Sequence, residues 1–339
     1  MSKPGGLGLG PMLVLGEEED DENETSFSMA PDGSILDKTS GFTIKSFAKA
    51  PVIEVFPEKR IGSGAGGVVV HGKLRESDKK LAIKIVHWEG KGKRDQLRKD
   101  LAGLLSIKPN PHLVDFHGVY CDKGQIYIAL ELMDFGSLDT LRDLVSNTTD
   151  PYDFPEPLLA SIARQSLAGL KALEKAKAMH RDIKPANILI NTSGQVKLTD
   201  FGLLKLVEQT SDLSSLNTYV GTHVYMSPER VMGDEYSSDA DIWSFGMVIY
   251  ELATGKHPVP PTASPVMIYD ILCKKPEPRL PDNGKFSEPL RDFVAMCLQR
   301  DIKKRPSIDT LLRHPFILTW SGFGSWLADK KSKEKAKPK

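Results

Sequence analysis

The sequence predicts an α+β chain of two lobes, a small β-rich unit followed by a large α-rich one, with a tail at each end. Two observations carry this reading. From Val52 to Met133, β-branched runs such as VVV at 68–70 and LAIKIV at 81–86 are broken by Gly or charge, the texture of antiparallel strands. After Met133 the apolar residues recur at helical spacing over long segments.

Taken in order, residues 1–50 are rich in Gly, Ser, Pro and acid, including EEEDDENE at 17–24, and read as a disordered acidic tail. The small lobe spans 51–130. Its stretches VIEVFPEKRIGSGAGGVVVHGKL and KKLAIKIVHW read as strands, as do LVDFHGVY and QIYIALELM. Between them KRDQLRKDLAGLLSI places Leu97, Leu101, Leu104 and Leu105 on one face of a helix. A connection at 131–133 leads into the large lobe, 134–318. There PLLASIARQSLAGLKALEKA reads as an amphipathic helix ending near Ala178. SSDADIWSFGMVIYELATG is a second, buried on most sides, with a Ser/Asp start and a Gly stop, and EPLRDFVAMCLQ is a third. Residues 319–339 form an extension whose last ten residues carry six Lys and one Glu.

Composition removes several function classes. Lys plus Arg and Asp plus Glu both number 45, so charge gives no reason to expect a nucleic-acid partner. The three cysteines, Cys121, Cys273 and Cys297, are far apart and suit neither a disulfide framework nor a zinc site. No apolar run approaches the roughly 20 residues needed to span a bilayer. The Gly- and Pro-rich opening does not read as a secretory signal, which leads to the expectation of a cytoplasmic protein.

Three motifs carry chemistry. GSGAGG at 62–67 is a G-x-G-x-x-G with a strand before it and Val68, Val69 and Val70 after it. A dinucleotide fingerprint needs a helix directly after the glycines. A glycine hairpin instead lays backbone over phosphates where a Cβ would obstruct approach, and taken alone it is also a plain turn. The second is Lys84, a charge inside an apolar strand that requires a partner. Asp100, at the edge of the apolar face of the small-lobe helix, is a candidate. The third is HRDIKPANILI at 180–190 followed by VKLTDFG at 196–202. Asp182, Lys184, Asn187 and Asp200 form an acid–base–amide–acid set within 19 residues. Asn187 and Asp200 offer the oxygen ligands that magnesium prefers, and Asp182 is a spare carboxylate able to accept a hydroxyl proton.

Together these motifs resemble the eukaryotic protein kinase family over residues 57–317. The resemblance implies a bilobed kinase fold, ATP and Mg2+ as cofactors, and a set of roles. Gly62, Gly64 and Gly67 would form the phosphate-covering loop, with Val69 roofing the adenine, and Ile61, Ser63, Ala65, Gly66, Ala82 and Leu189 would join them in binding the nucleotide. Lys84 would hold the α- and β-phosphates and pair with Asp100. Asp182 would be the catalytic acid, Lys184 would neutralise the moving phosphoryl group, and Asn187 and Asp200 would bind magnesium. Glu131–Met133 would be the hinge that hydrogen-bonds adenine, with Leu130 limiting pocket depth. The resemblance also pairs Glu229 with Arg305 and sets Asp241 under the catalytic loop.

Within the kinases, GTHVYMSPERVMGDEYSSDADIWSFGMVIYELATGKHP is similar to MAP kinase kinases, dual-specificity enzymes that phosphorylate Thr and Tyr of a MAP kinase and are activated by an upstream MAP kinase kinase kinase. Ser214 and Thr218 match the spacing of that family's activation sites in animals, while Ser211 and Ser215 read as solvated neighbours. The chain departs from the family in two places: Asp100 stands where the family has Glu, and the N-terminus lacks a basic docking cluster. Phe323, Trp326 and Leu327 stand where the family has a docking segment for its upstream kinase, and read alternatively as a helical turn packed on the large lobe. An upstream-tier Ser/Thr kinase and a pseudokinase scaffold are the alternatives to an active MAP kinase kinase.

Overall fold

The structure is a computed structural model that describes residues 27–29, 35–37, 43–44, 53–64, 67–74, 77–87, 107–122, 125–146, 154–200 and 223–319. Three short strands, β1 (Phe27–Met29), β2 (Ile35–Asp37) and β3 (Thr43–Ile44), pair antiparallel in the order β1-β2-β3. Sequence reading leaves this segment without regular structure. The short strands, two of three residues and one of two, are separated in sequence by PDG and TSG, turn chemistry that the acidic composition obscures.

The small lobe is a five-stranded antiparallel sheet of β4 (Ile53–Gly64), β5 (Gly67–Leu74), β6 (Lys80–His87), β7 (Phe116–Asp122) and β8 (Gln125–Glu131), in the order β4-β5-β6-β8-β7. Its alternation sorts the apolar residues onto two faces. Val70, Leu81, Ile83 and Ala129 bury one side. Val119, Ile126, Ile128 and Leu130 bury the other, joined by Val114 and Met133. Lys84 pairs with Val69 on β5 and with Ile128 on β8, so it stands on the second face beside Ala82. The small-lobe helix expected around Leu97–Leu105 lies outside the described residues, and Asp100 with it.

In the large lobe, α1 (Leu138–Ser146), α2 (Glu156–Lys175), α3 (Pro228–Met232), α4 (Asp239–Thr254), α5 (Pro265–Tyr269), α6 (Glu288–Cys297) and α7 (Ile308–Leu312) surround one large apolar core. Helix α2 ends at Lys175, short of Ala178, because Lys177 turns into the left-handed region at φ 54°. Helix α4 is buried on almost every side and stops at Gly255, φ 68°, as its apolar composition and terminal glycine require. Ser287 caps α6 by accepting from the Leu290 amide.

Between the lobes lies a third small sheet, β9 (Gly136–Ser137), β10 (Ile188–Ile190) and β11 (Val196–Leu198), in the order β11-β10-β9. The segment 112–115 links it to the five-stranded sheet. Leu198 N donates to His112 O at 3.0 Å, Val114 N to Leu198 O at 2.9 Å, and Glu131 N to Asp115 O at 2.9 Å. A continuous hydrogen-bonded seam thus joins the end of β8 to β11, the strand that leads to Asp200. The architecture is a β-rich small lobe on an α-helical large lobe.

Candidate active site

The residues of the third sequence motif converge where this seam meets α4. Asp241, in the first turn of α4 and 3% exposed, accepts from the amides of His180 and Arg181, both at 2.8 Å. That grip holds Arg181 at φ 68°, a left-handed conformation that non-glycine residues avoid unless their surroundings impose it. Arg230, on α3, donates to the Arg181 carbonyl at 2.6 Å. Burial pushes the His180 imidazole below its ordinary value, against the pull of Asp241, Asp182 and Asp200.

Asp182 follows, with one carboxylate oxygen shared between two donors. Asn187 Nδ2 reaches Oδ2 at 2.7 Å and the Asp182 carbonyl at 2.8 Å, and Lys184 Nζ reaches Oδ2 at 2.8 Å. Because Asn187 commits its amide nitrogen there, its Oδ1 is the end left to accept from or ligate something else. The Thr199 amide donates to the Asn187 carbonyl at 3.0 Å, which ties this loop to the residue preceding Asp200. Asp200 is itself left-handed, φ 60°. Its Oδ1 meets Lys84 Nζ at 2.7 Å, with the Lys84 side chain 5% exposed. Sequence reading pairs Lys84 with Asp100, whereas its partner among the described residues is Asp200.

The donor set suits a magnesium ion bound to phosphates. Asn187 Oδ1 and the Asp200 carboxylate are hard oxygen ligands, and magnesium takes only one or two carboxylates with other ligands from phosphate and water. Among the described residues no group of three His, Cys, Asp or Glu side chains is placed to hold a metal without such help.

The residues expected around an adenine also come together. Ala82 and Leu189 pack against the cluster that contains Leu130 and Met133, so strands from both lobes contribute to one apolar cluster. Val69 lies across the sheet from Lys84 on the same face, while Ile61 is 40% exposed. The two glycines at the ends of the motif differ. A Cβ on Gly67, at φ 119°, would meet Ile85 O at 2.1 Å, so the sheet alone demands glycine there. At Gly62 an added Cβ meets nothing within 4 Å, so packing does not explain that glycine. Ser63 and Gly64 lie in β4. Ala65, Gly66, Asp100, Ser214, Thr218, Phe323, Trp326 and Leu327 lie outside the described residues.

Two groups escape the sequence reading. Lys197 Nζ meets Glu131 Oε2 at 2.7 Å, and the same oxygen accepts from the Asp115 amide at 3.1 Å. The signal was available, since Lys197 sits between apolar neighbours in a strand as Lys84 does. The other is Glu251, an acid inside the apolar run VIYELA, which meets Arg142 and Tyr225. Below the site Arg305 forks onto Glu229 at 2.7 and 3.1 Å, with side chains 0% and 4% exposed. Burial opposes ionisation of Glu229, but the Arg305 bonds hold its carboxyl below the usual range.

Comparison with known proteins agrees with this geometry. A model of the protein kinase domain matches residues 56–317. The chain is 41% identical over 260 residues to mitogen-activated protein kinase kinase 3 of Arabidopsis thaliana, covering 76% of this chain and 48% of that protein. It is 38% identical over 280 residues to mitogen-activated protein kinase kinase 2 of the same plant, covering 80% of this chain and 74% of that one. With dual specificity mitogen-activated protein kinase kinase dSOR1 of Drosophila melanogaster it shares 35% over 285 residues, covering 76% and 69%. The chain therefore belongs to the protein kinase domain family, and within it is similar to mitogen-activated protein kinase kinases.

Proposed function

We propose that this kinase is a MAP kinase kinase, which phosphorylates Thr and Tyr in the activation loop of a MAP kinase. The observation that carries the reading is the joining of Lys84–Asp200 to Asp182–Lys184–Asn187 in a chain similar to named MAP kinase kinases over most of its length. When bound, magnesium ATP supplies the phosphoryl group. Lys84 would hold its phosphates, Asn187 Oδ1 and Asp200 its magnesium, and the cluster of Ala82, Leu130, Met133 and Leu189 its adenine. Gly62 to Gly67 would close over the phosphates.

Asp182 orients the acceptor hydroxyl and takes its proton. Asn187 fixes the rotamer of that carboxylate, so the acceptor meets a base already in place. Lys184 keeps a positive charge at the point where negative charge develops. Phosphorylation of Ser214 and Thr218 by an upstream MAP kinase kinase kinase would order the activation segment through Arg181. Asp100 would complete the Lys84 site in that active state. Among the described residues no helix is long and apolar enough to cross a membrane, and we place the enzyme in the cytoplasm.

The test is incubation of the full chain with magnesium ATP and a panel of catalytically inactive MAP kinases, read by mass spectrometry. Modification of both Thr and Tyr, lost in Asp182→Ala, is the expected result. Transfer only to Ser or Thr of other kinases would move the protein one tier up the cascade, and no transfer at all would leave a scaffold. Ser214→Ala with Thr218→Ala should abolish activation by an upstream kinase.

A further inference from the structure

The small-lobe sheet carries a concavity apart from the ion pair in the cleft. It measures about 540 Å³ and is lined by Phe56, Lys59, His71, Lys73, Asp78 and Lys80. Strand register builds it. Phe56 pairs with His71, and Lys73 with Lys80, so three adjacent strands present these side chains on one face. Between Phe56 and Arg60 the register of β4 shifts, and Lys59 in that bulge turns its Nζ over the Phe56 ring, 4.8 Å from the centroid. Lys80 lies four residues before Lys84 on β6, about 13 Å away along the strand.

The charge of this cavity is only partly balanced. Lys73 Nζ meets Asp78 at 3.1 Å and Glu54 at 3.4 Å. Lys59 and Lys80 are exposed and have no acid partner among the described residues. His71, half-buried on the same face, adds a charge when protonated. Such a site suits a segment rich in carboxylates, and this chain holds one. EEEDDENE at 17–24 places seven carboxylates in eight residues, and no Lys or Arg stands between Lys3 and Lys38 to balance them.

The tether has the length required. Only Thr25 and Ser26 separate Glu24 from β1, and β1 stands two strand spacings, about 10 Å, from β3. Residues 45–52 join β3 to Ile53, and a stretch of that length spans up to about 28 Å. Phe56, one wall of the cavity, lies three residues into β4, about 10 Å from Ile53. A segment tethered in this way acts at about millimolar effective concentration, so individually weak charge pairs suffice to hold it.

We propose that the acidic segment 17–24 docks in this cavity of its own chain, its carboxylates meeting Lys59 and Lys80. The contact is electrostatic, so it weakens with salt and with any negative charge added to the cavity face. It ties the N-terminal segment to β5 and β6, the strands that carry Val69 and Lys84, and does not depend on which protein the kinase modifies.

The experiment treats the full chain with a water-soluble carbodiimide, which joins carboxylates to amines in direct contact, and maps the new amide links by mass spectrometry. An equal mixture of light- and heavy-isotope chains separates links within one chain from links between copies. The expected links join residues 17–24 to Lys59 or Lys80 within one chain. They should fall by about fivefold or more in about 0.5 M sodium chloride, where the screening length is about 4 Å. His71→Glu keeps every lysine and every carboxylate of the segment but adds an acid to the cavity, and should lower the same links about fivefold. Lys80→Glu should lower the links to Lys59 in the same way, which keeps the test decisive if His71→Glu folds poorly, as its urea midpoint would show. No link to Lys59 or Lys80, links to all exposed lysines alike, or links confined to the lysines of 330–339 would each overturn the proposal. So would links found only between copies, or links that a folded His71→Glu or Lys80→Glu chain leaves unchanged.

Discussion

Lys84 Nζ lies 2.7 Å from Asp200 Oδ1, so a strand of the small lobe and the segment following β11 share one ion pair inside the cleft. Lys84 is 5% exposed on its side chain and Asp200 23%, so loss of the lysine leaves a carboxylate that water can still reach. Lys84→Met should therefore lower phosphoryl transfer by about a hundredfold or more while shifting the urea midpoint little. A variant retaining more than about a tenth of the wild-type rate would remove Lys84 from the site.

Arg305 and Glu229 are a different case, because neither is exposed. Arg305 also donates to the carbonyls of Gln299 and Asp239, and its guanidinium stacks 5.5 Å from the Trp243 ring. Glu229→Ala leaves a buried guanidinium with no counter-charge and should cost about 3–5 kcal/mol of folding stability. Equilibrium urea unfolding measures this, and a loss under about 1 kcal/mol would show the pair to be dispensable.

Asp241 should separate shape from charge. Its two oxygens serve two backbone amides, so Asp241→Asn sets an amide donor against an N–H that needs an acceptor. The strained Arg181 backbone then relaxes and Asp182 moves. The expected outcome is a kcat reduced by about ten- to a hundredfold with the KM for ATP nearly unchanged, read from steady-state kinetics. Equal losses in both parameters would point to general unfolding instead.

Acid should destabilise the large lobe through His257. Burial pushes its imidazole down to about 4, and nearby Arg142 adds to this against a backbone contact at Val259. The Val259 amide donates to His257 Nδ1 at 3.0 Å, a bond that protonation of Nδ1 would destroy. The folded value lies below the unfolded one, so the unfolded chain binds the proton first. The stability from His257 is complete above its unfolded value of about 6.5, falls as pH drops toward 4, and is then exhausted, a loss of about 3 kcal/mol. His257→Gln should flatten that part of the pH–stability curve, and a curve of unchanged slope would exclude His257 as the source.

Much of this was legible in the sequence because the signals were local. Lys84 and Asp182 to Asn187 announce themselves as charged groups in apolar or tightly spaced contexts, and Gly255 marks the end of its helix. The Lys84–Asp200 pair was not read, since sequence cannot single out a carboxylate 116 positions along the chain, and the expected partner Asp100 lies outside the described residues. Lys197–Glu131 and Arg142–Glu251 were missed for the same reason. Each joins residues 66 and 109 positions apart, and only the packing of the lobes shows which acid meets which base. The β1–β3 sheet was missed because composition averages over strands of two or three residues, too short to register.

The seam at 112–115 has a mechanical consequence. It fastens β8 to β11 at Glu131, and Lys197 clamps that end by its side chain. Glu131 faces Leu81 and Leu81 faces Gly72, so the fulcrum lies level with Gly72, five residues along β5 from Gly67. At about 3.3 Å per residue the glycine tip is a lever arm of about 17 Å, and a tilt of about 10° carries it about 3 Å. The seam therefore holds the sheet near its Leu81–Gly72 end and leaves the Gly67 end of β5 far from that anchor.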